Sequence, residues 1–326
     1  MEYLYTHTYT YTYTHIHIYI VMSSASVLPD QSSDAVLLEY VSTYKPSIQI
    51  LTYCPNSMCT AQYTVSLVRT MELCTKYKIN VIIDIERNAE SAGIAMNNMI
   101  ARSLVHPDMT HLMFIDSTVS WEAHDVLRLL LGDKPIVAGV PSLVGYKWDK
   151  LFSNTQSQSQ SPGNKLDSIL QKINHPLFQN GNPIHPIDML QYNLVNYDVK
   201  FNSNELKVED NLTTVDSVSG KFMMVKRMVF ERMSRAFPSI KYKYNYLTDM
   251  MRAAAALSNK AHDIPDQYGY NFFESTVENE EYIDEHNTFL RRWKNMNGSV
   301  HIHLGVLLTI VTSEHQKGNC LAACIS

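Results

Sequence analysis

Between residues 110 and 141 the chain alternates short unbroken apolar runs with one amphipathic stretch. The run HLMFI (111–115) is too brief for a stable helix. Being apolar throughout, it predicts a strand covered on both faces. From Glu122 onward, Val126, Leu127, Leu129, Leu130 and Leu131 give a helix with an apolar face, and Gly132 follows as its C-cap. Residues 136–140 predict the next buried strand. Asp116 falls where the first strand ends, and in open α/β sheets ligands bind beyond the carboxyl ends of strands.

The same alternation recurs on either side. Residues 48–53 read as a strand, Cys54-Pro55-Asn56 as a turn, and 60–78 as a helix with Val65, Leu67, Val68, Met71 and Leu73 toward the core. Residues 80–85 are a second strand and 88–103 a helix. Further on, KFMMV (221–225) predicts a strand, followed by a helix that stops at Pro238. Helices are predicted over 249–262 and 281–296, the latter closed by Asn297-Gly298, and one or two last strands over 300–311. Repeated strand–helix alternation is the signature of a doubly wound sheet with right-handed crossovers.

The pattern fails in three places. Residues 1–22 are low complexity, with strict Tyr/Thr and His/Ile alternation. That period suits a hairpin arm, but the same residues are what a reiterated TA/CA-type nucleotide repeat encodes, which predicts no folded role. Residues 23–46 read as a polar lead-in around one apolar segment, so the disordered N-terminal part is expected to span 1–46. Between 151 and 214 the periodicity breaks: 153–164 reads as a flexible loop and 174–193 as irregular, with His175 and His185 as surface residues. The expected organisation is a domain over 47–312 containing this irregular insertion, then a tail over 313–326.

Composition narrows the function. At 326 residues, 45% hydrophobic and 18% charged, the chain has an ordinary globular make-up. A net charge of −5 argues against a nucleic-acid-coating role, which needs clustered Lys and Arg. No apolar run approaches the roughly 18–20 residues of a membrane helix. The 5 cysteines match no zinc spacing and fit reduced thiols in a cytoplasmic setting. No P-loop, dinucleotide fingerprint, nucleophile elbow or HExxH is present.

Four blocks stand in a specific order: AESAGIAMNNMIA (89–101), THLMFIDSTVSWEAHDVLRLL (110–130) continued by VAGVP (137–141) and Trp148, SGKFMMVKRMVFERM (219–233), and NFFESTVENEEYIDEHNTFLRRW (271–293). Together they resemble a family of A-type glycosyltransferases found in bacteriophages and large DNA viruses. The resemblance implies an α/β fold of the glycosyltransferase A-type, Rossmann-like, with a mixed, mostly parallel sheet flanked by helices. It implies transfer of a sugar from a nucleotide-sugar donor to a hydroxyl on a glycan or protein acceptor.

The likeness also assigns roles. Asp116 corresponds to the first carboxylate of a strand-end DxD motif, where a manganese or magnesium ion would neutralise the departing diphosphate. Asn97, Asp116, Thr118, Trp148 and Arg291 fall on the donor side. Asp284, Glu285 and His286 replace an acidic triplet, with Glu285 as the best general base for the acceptor hydroxyl. Each has a plainer reading: Asp116 as a turn residue, Glu285 as an acid suited to a helix N-terminus, Trp148 as packing. The chain departs from the family at Met96 in place of an arginine, Thr118 in place of the second carboxylate, Ser142-Leu143 in place of two lysines, and Ile310 in place of a histidine. These losses support the alternative, a catalytically degenerate relative retained as a nucleotide- or glycan-binding or structural protein.

Overall fold

The computed structural model describes residues 19–22, 30–87, 91–152, 162–174, 184–202, 205–242, 268–312, 315–320 and 323. In chain order its first half holds β1 (Tyr19–Met22), α1 (Asp30–Tyr44), β2 (Ser47–Cys54), α2 (Ala61–Lys76), β3 (Asn80–Arg87), α3 (Ala92–Val105), β4 (His111–Ile115), β5 (Val119–Ser120), α4 (Ala123–Leu131) and β6 (Ile136–Ala138). Short helices α5 (Asp149–Phe152), α6 (Pro162–Gln171) and α7 (Pro186–Leu194) follow. Then come β7 (Val199–Phe201), β8 (Glu205–Val208), β9 (Leu212–Val218), β10 (Phe222–Lys226) and α8 (Arg227–Ala236). The last part holds β11 (Thr276–Glu278), β12 (Glu281–Ile283), α9 (Glu285–Asn295), β13 (Val300–His303), β14 (Leu308–Val311) and β15 (His315–Gly318).

Eight strands form the central sheet in the order β3-β2-β4-β10-β6-β13-β9-β7. It is mixed and mostly parallel in direction, with β10 and β9 running against their neighbours. This is the α/β class that the strand–helix alternation predicts. Strand β4 is buried along its whole length, as its apolar run requires, and its alternate residues feed two cores. Leu112 and Phe114 face a core built with α3, α8 and α9; Met113 and Ile115 face one built with α1, α2 and α4. From β2 the chain passes through α2 to β3 on one side, then through α3 to β4 on the other. That reversal opens a crevice beyond the carboxyl ends of β2 and β4, where Cys54 and Asp116 lie.

Several expectations change. Residues 30–44, read as lead-in, form α1: Leu37 is 4% exposed in the second core and Tyr40 donates to Asp133 Oδ1 at 2.8 Å. The folded unit therefore begins upstream of residue 47. At its other end, β15 pairs antiparallel with β14, and the Asn319 amide donates to the Tyr197 hydroxyl, so residues read as a tail complete a sheet. The stretch read as irregular over 174–193 contains most of α7, whose Pro186 sits in the first turn with His185 capping it. Helix α2 is rotated from its predicted face. Val65 and Val68 are exposed, and Tyr63, Ser66, Leu67, Thr70 and Cys74 point inward. The polar members are accommodated because they satisfy one another and Trp121: Ser66 donates to Trp121 O at 2.7 Å, and Trp121 Nε1 donates to Thr70 Oγ1 at 2.9 Å. The helix predicted over 249–262 and His175 lie outside the described residues, as do residues 1–18 of the repeat; its last four residues, expected to have no folded role, instead form β1, parallel to β8.

The docking of α1 has a direct test. Leu37→Ala should lower stability by about 2–3 kcal/mol, whereas Leu38→Ala, on the exposed side, should stay within about 0.5 kcal/mol. Equal small losses in urea unfolding would show that α1 is not packed.

Two buried histidines predict an acid sensitivity. Burial lowers His111 and His303 from the ordinary 6.5 to about 4, with Lys226 adding to the first and Arg128 to the second. A depressed histidine contributes stability that is present above the unfolded value and lost as pH falls from about 6.5 toward 4. His303 Nδ1 accepts from the Gly305 amide at 3.1 Å, a bond that a glutamine carbonyl can replace. Relative to wild type, His303→Gln should therefore gain stability as pH falls through that window, read as urea midpoints. A pH-independent difference would show that the ring is not held neutral.

Candidate functional site

Asp116 ends β4 at the crevice. Its amide donates to Lys221 O at 2.9 Å, continuing the β4–β10 ladder by one residue. Its carboxylate turns back on the loop: Oδ1 accepts from the Thr118 amide at 2.8 Å and from the Thr118 hydroxyl at 2.6 Å. Thr118 thus serves to hold the Asp116 carboxylate. Its carbonyl accepts from Val311, and the adjoining Val119 pairs with Ile310. Ile310 is a core residue of that small sheet.

Across the crevice stands the N-terminus of α9. Asp284 is its N-cap: Oδ1 accepts from the Asn287 amide at 2.8 Å, and Oδ2 from the Asn287 side chain at 2.7 Å. Glu285 is half-buried and bonded only lightly, its Oε2 accepting from Ser275 Oγ at 3.2 Å. The His286 ring packs edge-on to Phe273, centroids 5.5 Å apart, and directly over Gly220. A Cβ at position 220 would overlap the imidazole, so this turn between β9 and β10 admits only glycine. Burial lowers the His286 pKa against the pull of Glu285, Asp284, Asp198 and Asp116. Those four carboxylates therefore converge on one imidazole held neutral.

Asp198, just before β7, completes the group. Desolvation and the adjacent Asp284 push its pKa up, while Lys221 and His286 pull it down. No motif marks Asp198 in the sequence; it arrives because its carbonyl accepts from the Ser219 amide at 3.0 Å, beside Gly220. Asp284 also borders a cleft of about 880 Å³ whose walls include Lys200, Tyr282, Asn287, Arg291 and Lys294.

The remaining predicted residues divide. Asn97 is buried, and all of its amide is used on the loop over 271–274. Nδ2 donates to Phe273 O at 2.9 Å and to Asn271 Oδ1 at 2.8 Å, and Oδ1 accepts from Phe273 N at 3.0 Å. It positions that loop. Met96, in the place of an arginine, is packed in the first core. Arg291 lines the cleft and pairs with Glu278 at 3.2 Å. The neighbouring Arg292 ties α9 to Glu274 and to the carbonyl of Asn271. Trp148 is 58% exposed, with Tyr146 as its ring partner. Its segment runs beside 194–197 through bonds such as Leu143 N to Asn196 O at 2.7 Å, on the strip that ends in Asp198.

The donor set is thin for a hard divalent cation, which takes six or more oxygens or a near-octahedral set with carboxylates free to bind. Asp116 Oδ1 is committed to Thr118 and both Asp284 oxygens to Asn287. Among the described residues no three of His, Cys, Asp and Glu are grouped so as to hold a metal ion. Nor is any helix among them long and apolar enough to cross a membrane.

Comparison with known proteins adds little to this geometry. No protein-family model matches the chain, and no curated protein matches it. Among solved structures, A197 from STIV is similar with a TM-score of 0.38 at 10% identity, over 84% of this chain and 94% of that one. The 4-diphosphocytidyl-2C-methyl-D-erythritol synthase of Anaerococcus prevotii gives 0.28 at 6% identity, over 67% and 86%. Likenesses this slight fix neither fold family nor activity.

The clasp on Phe273 is testable. Asn97→Ala leaves a buried amide and carbonyl without partners and should cost about 2–4 kcal/mol in urea unfolding. A loss under about 0.5 kcal/mol would show that the loop is held otherwise.

Proposed function

We propose that this protein binds a nucleotide sugar in the crevice beyond β4 and acts as a glycosyltransferase-like protein on a hydroxyl acceptor, a glycan or a protein. The observation that carries the reading is the convergence of Asp116, Asp198, Asp284 and Glu285 about His286 at the carboxyl end of β4, where ligands of open α/β sheets bind. The ordered likeness of four sequence blocks to phage and viral A-type glycosyltransferases supports it. Of the carboxylates, Glu285 is the one fitted to be the base, because Asp284 is spent on its cap and Asp116 on Thr118. Glu285 would take the proton of the acceptor hydroxyl as that oxygen attacks the anomeric carbon, and the nucleoside diphosphate would leave. Asp116 and Thr118 would position the donor, with Trp148 and Arg291 further along the walls. Manganese or magnesium dependence is expected to be weak, and no step is assigned to a metal. A cytoplasmic setting fits reduced cysteines.

A second reading has its own observation. The commitment of Thr118 to Asp116, and of Asn97 to Phe273, leaves fewer free groups than a transferase uses. The chain would then be a binding protein, or a structural component of a virion or other complex.

One experiment separates them. Uridine, guanosine, cytidine and thymidine diphosphate sugars are screened by thermal shift and by hydrolysis, with and without manganese. A cognate donor should raise Tm by several degrees in wild type, and Asp116→Asn should abolish the shift. Glu285→Gln should keep the shift and lower turnover by about 100-fold or more. A shift without turnover in wild type supports the binding reading. No shift with any donor defeats nucleotide-sugar binding, and with it the transferase, and leaves only the structural component.

A further inference from the structure

Two cysteines flank the lip of the crevice, on a segment the proposed function does not use. Cys54 is the last residue of β2, and Cys59 lies just ahead of the Thr60 cap of α2. The turn between them, Pro55-Asn56-Ser57-Met58, closes with Ser57 N donating to Cys54 O at 3.1 Å and with Ser57 in the left-handed region at φ 54°. The chain is thereby folded back until the two sulfurs stand 3.0 Å apart. Both thiols are free. A disulfide needs about 1 Å of further approach, which a rotamer adjustment supplies.

The pair is wired to the crevice. Ser117, next to Asp116, lies beside the Cys54 thiol. Its carbonyl accepts from both the Thr60 amide and the Thr60 hydroxyl, at 3.3 Å each, one residue past Cys59. By contrast Cys74 is buried without a cysteine partner among the described residues.

We infer that Cys54 and Cys59 are a redox-active dithiol that closes to a disulfide under peroxide and thereby stiffens the lip of the crevice at Ser117. Cys59 is the more accessible of the two and makes the first attack. Its thiolate displaces hydroxide from hydrogen peroxide, forming an S–O bond as the O–O bond breaks, and the hydroxide is protonated to water. Cys54 sulfur then attacks the resulting sulfenic acid; the S–O bond breaks, and the departing hydroxide takes the Cys54 proton as a second water. Two thiols are oxidised by two electrons and one peroxide is reduced. Burial, reinforced by the Cys59 contact, pushes the Cys54 thiol up to about 12. The first attack therefore falls to Cys59, and Cys54 is left as the resolving partner, giving up its proton to the departing hydroxide as its sulfur attacks.

The test uses the full chain and is independent of any sugar nucleotide. The reduced protein is treated with stoichiometric hydrogen peroxide, alkylated and digested, and disulfides are mapped by mass spectrometry. Amide hydrogen exchange is followed over 54–66 and 114–121. The expected result is a Cys54–Cys59 link with the loss of two hydrogens, reversed by a dithiol reductant, and several-fold slower exchange in both segments. Cys59→Ser should abolish the link and the slowing together, and Cys74→Ser should change neither. Over-oxidation of Cys59 without a link, a link to another cysteine, or a mapped link with unchanged exchange over 114–121 would overturn the inference. If the sugar-nucleotide screen fails while the link forms, the crevice assignment is lost and the dithiol stands.

Discussion

The geometry of this crevice depends on how one backbone segment, at Phe273, is held between two helices. The buried amide of Asn97 on α3 satisfies both the N–H and the C=O of Phe273. The ring then stacks on Phe289 of α9, centroids 4.5 Å apart and 17° from parallel, and meets Phe114 of β4 at 5.4 Å. Phe289 continues the stack to Phe230 of α8 at 5.6 Å. Strand β4 and helices α3, α8 and α9 are thus referenced to one aromatic column. Because interiors are close-packed, that column fixes where the first turn of α9 can stand relative to Asp116. Gly220 sets the remaining tolerance, since the imidazole of His286 occupies the space a side chain would fill.

Much of this was legible in the residues, for reasons that differ between elements. The β4 run could be read because a strand buried on both faces has no polar position to confuse the period. Its helix partner α4 was equally plain, and Glu122 and Asp125 form a reciprocal capping box at its start. The inward face of α2 was misjudged because hydrophobic pattern alone ranks Val65 and Val68 above Ser66 and Thr70. The deciding quantity was the hydrogen-bonding demand of Trp121, a residue 51 positions from Thr70. Similarly, α1 was hidden by a weak apolar pattern: Leu37 is buried in the core, with Tyr40 and Val41 packed against it. Local periodicity does not encode a partner's unmet polar group.

The site was legible in part. Asp116 and Glu285 both lie close enough to His286 to act on its imidazole. Asp198 was invisible because its place depends on the pairing of β7 with β9, a contact between distant segments rather than a motif. Asn97 illustrates the converse. It was expected on the donor side, and its three hydrogen bonds make it a positioning residue for the loop at 271–274. A retained residue type does not establish a retained role when a buried amide has structural work to perform.

Charge decides where a ligand can sit in this arrangement. Asp116, Asp198, Asp284 and Glu285 lie about the His286 imidazole, with Lys221 beside Asp198, so acidic groups outnumber basic ones at the end of β4. A diphosphate placed directly against it would meet like charge at short range, which is unfavourable by several kcal/mol unless countered. Sugar hydroxyls have the opposite preference, since each can donate to a carboxylate oxygen. Cations stand instead in the cleft that shares Asp284, where Lys200, Arg291 and Lys294 line the wall. Two of them are already paired, Arg291 with Glu278 and Lys294 with Asp216, on solvent-exposed terms that a phosphate could displace at small cost. For the proposed nucleotide sugar, such a distribution favours a hydroxyl-rich group at Asp116 and Glu285 with the phosphates toward Arg291.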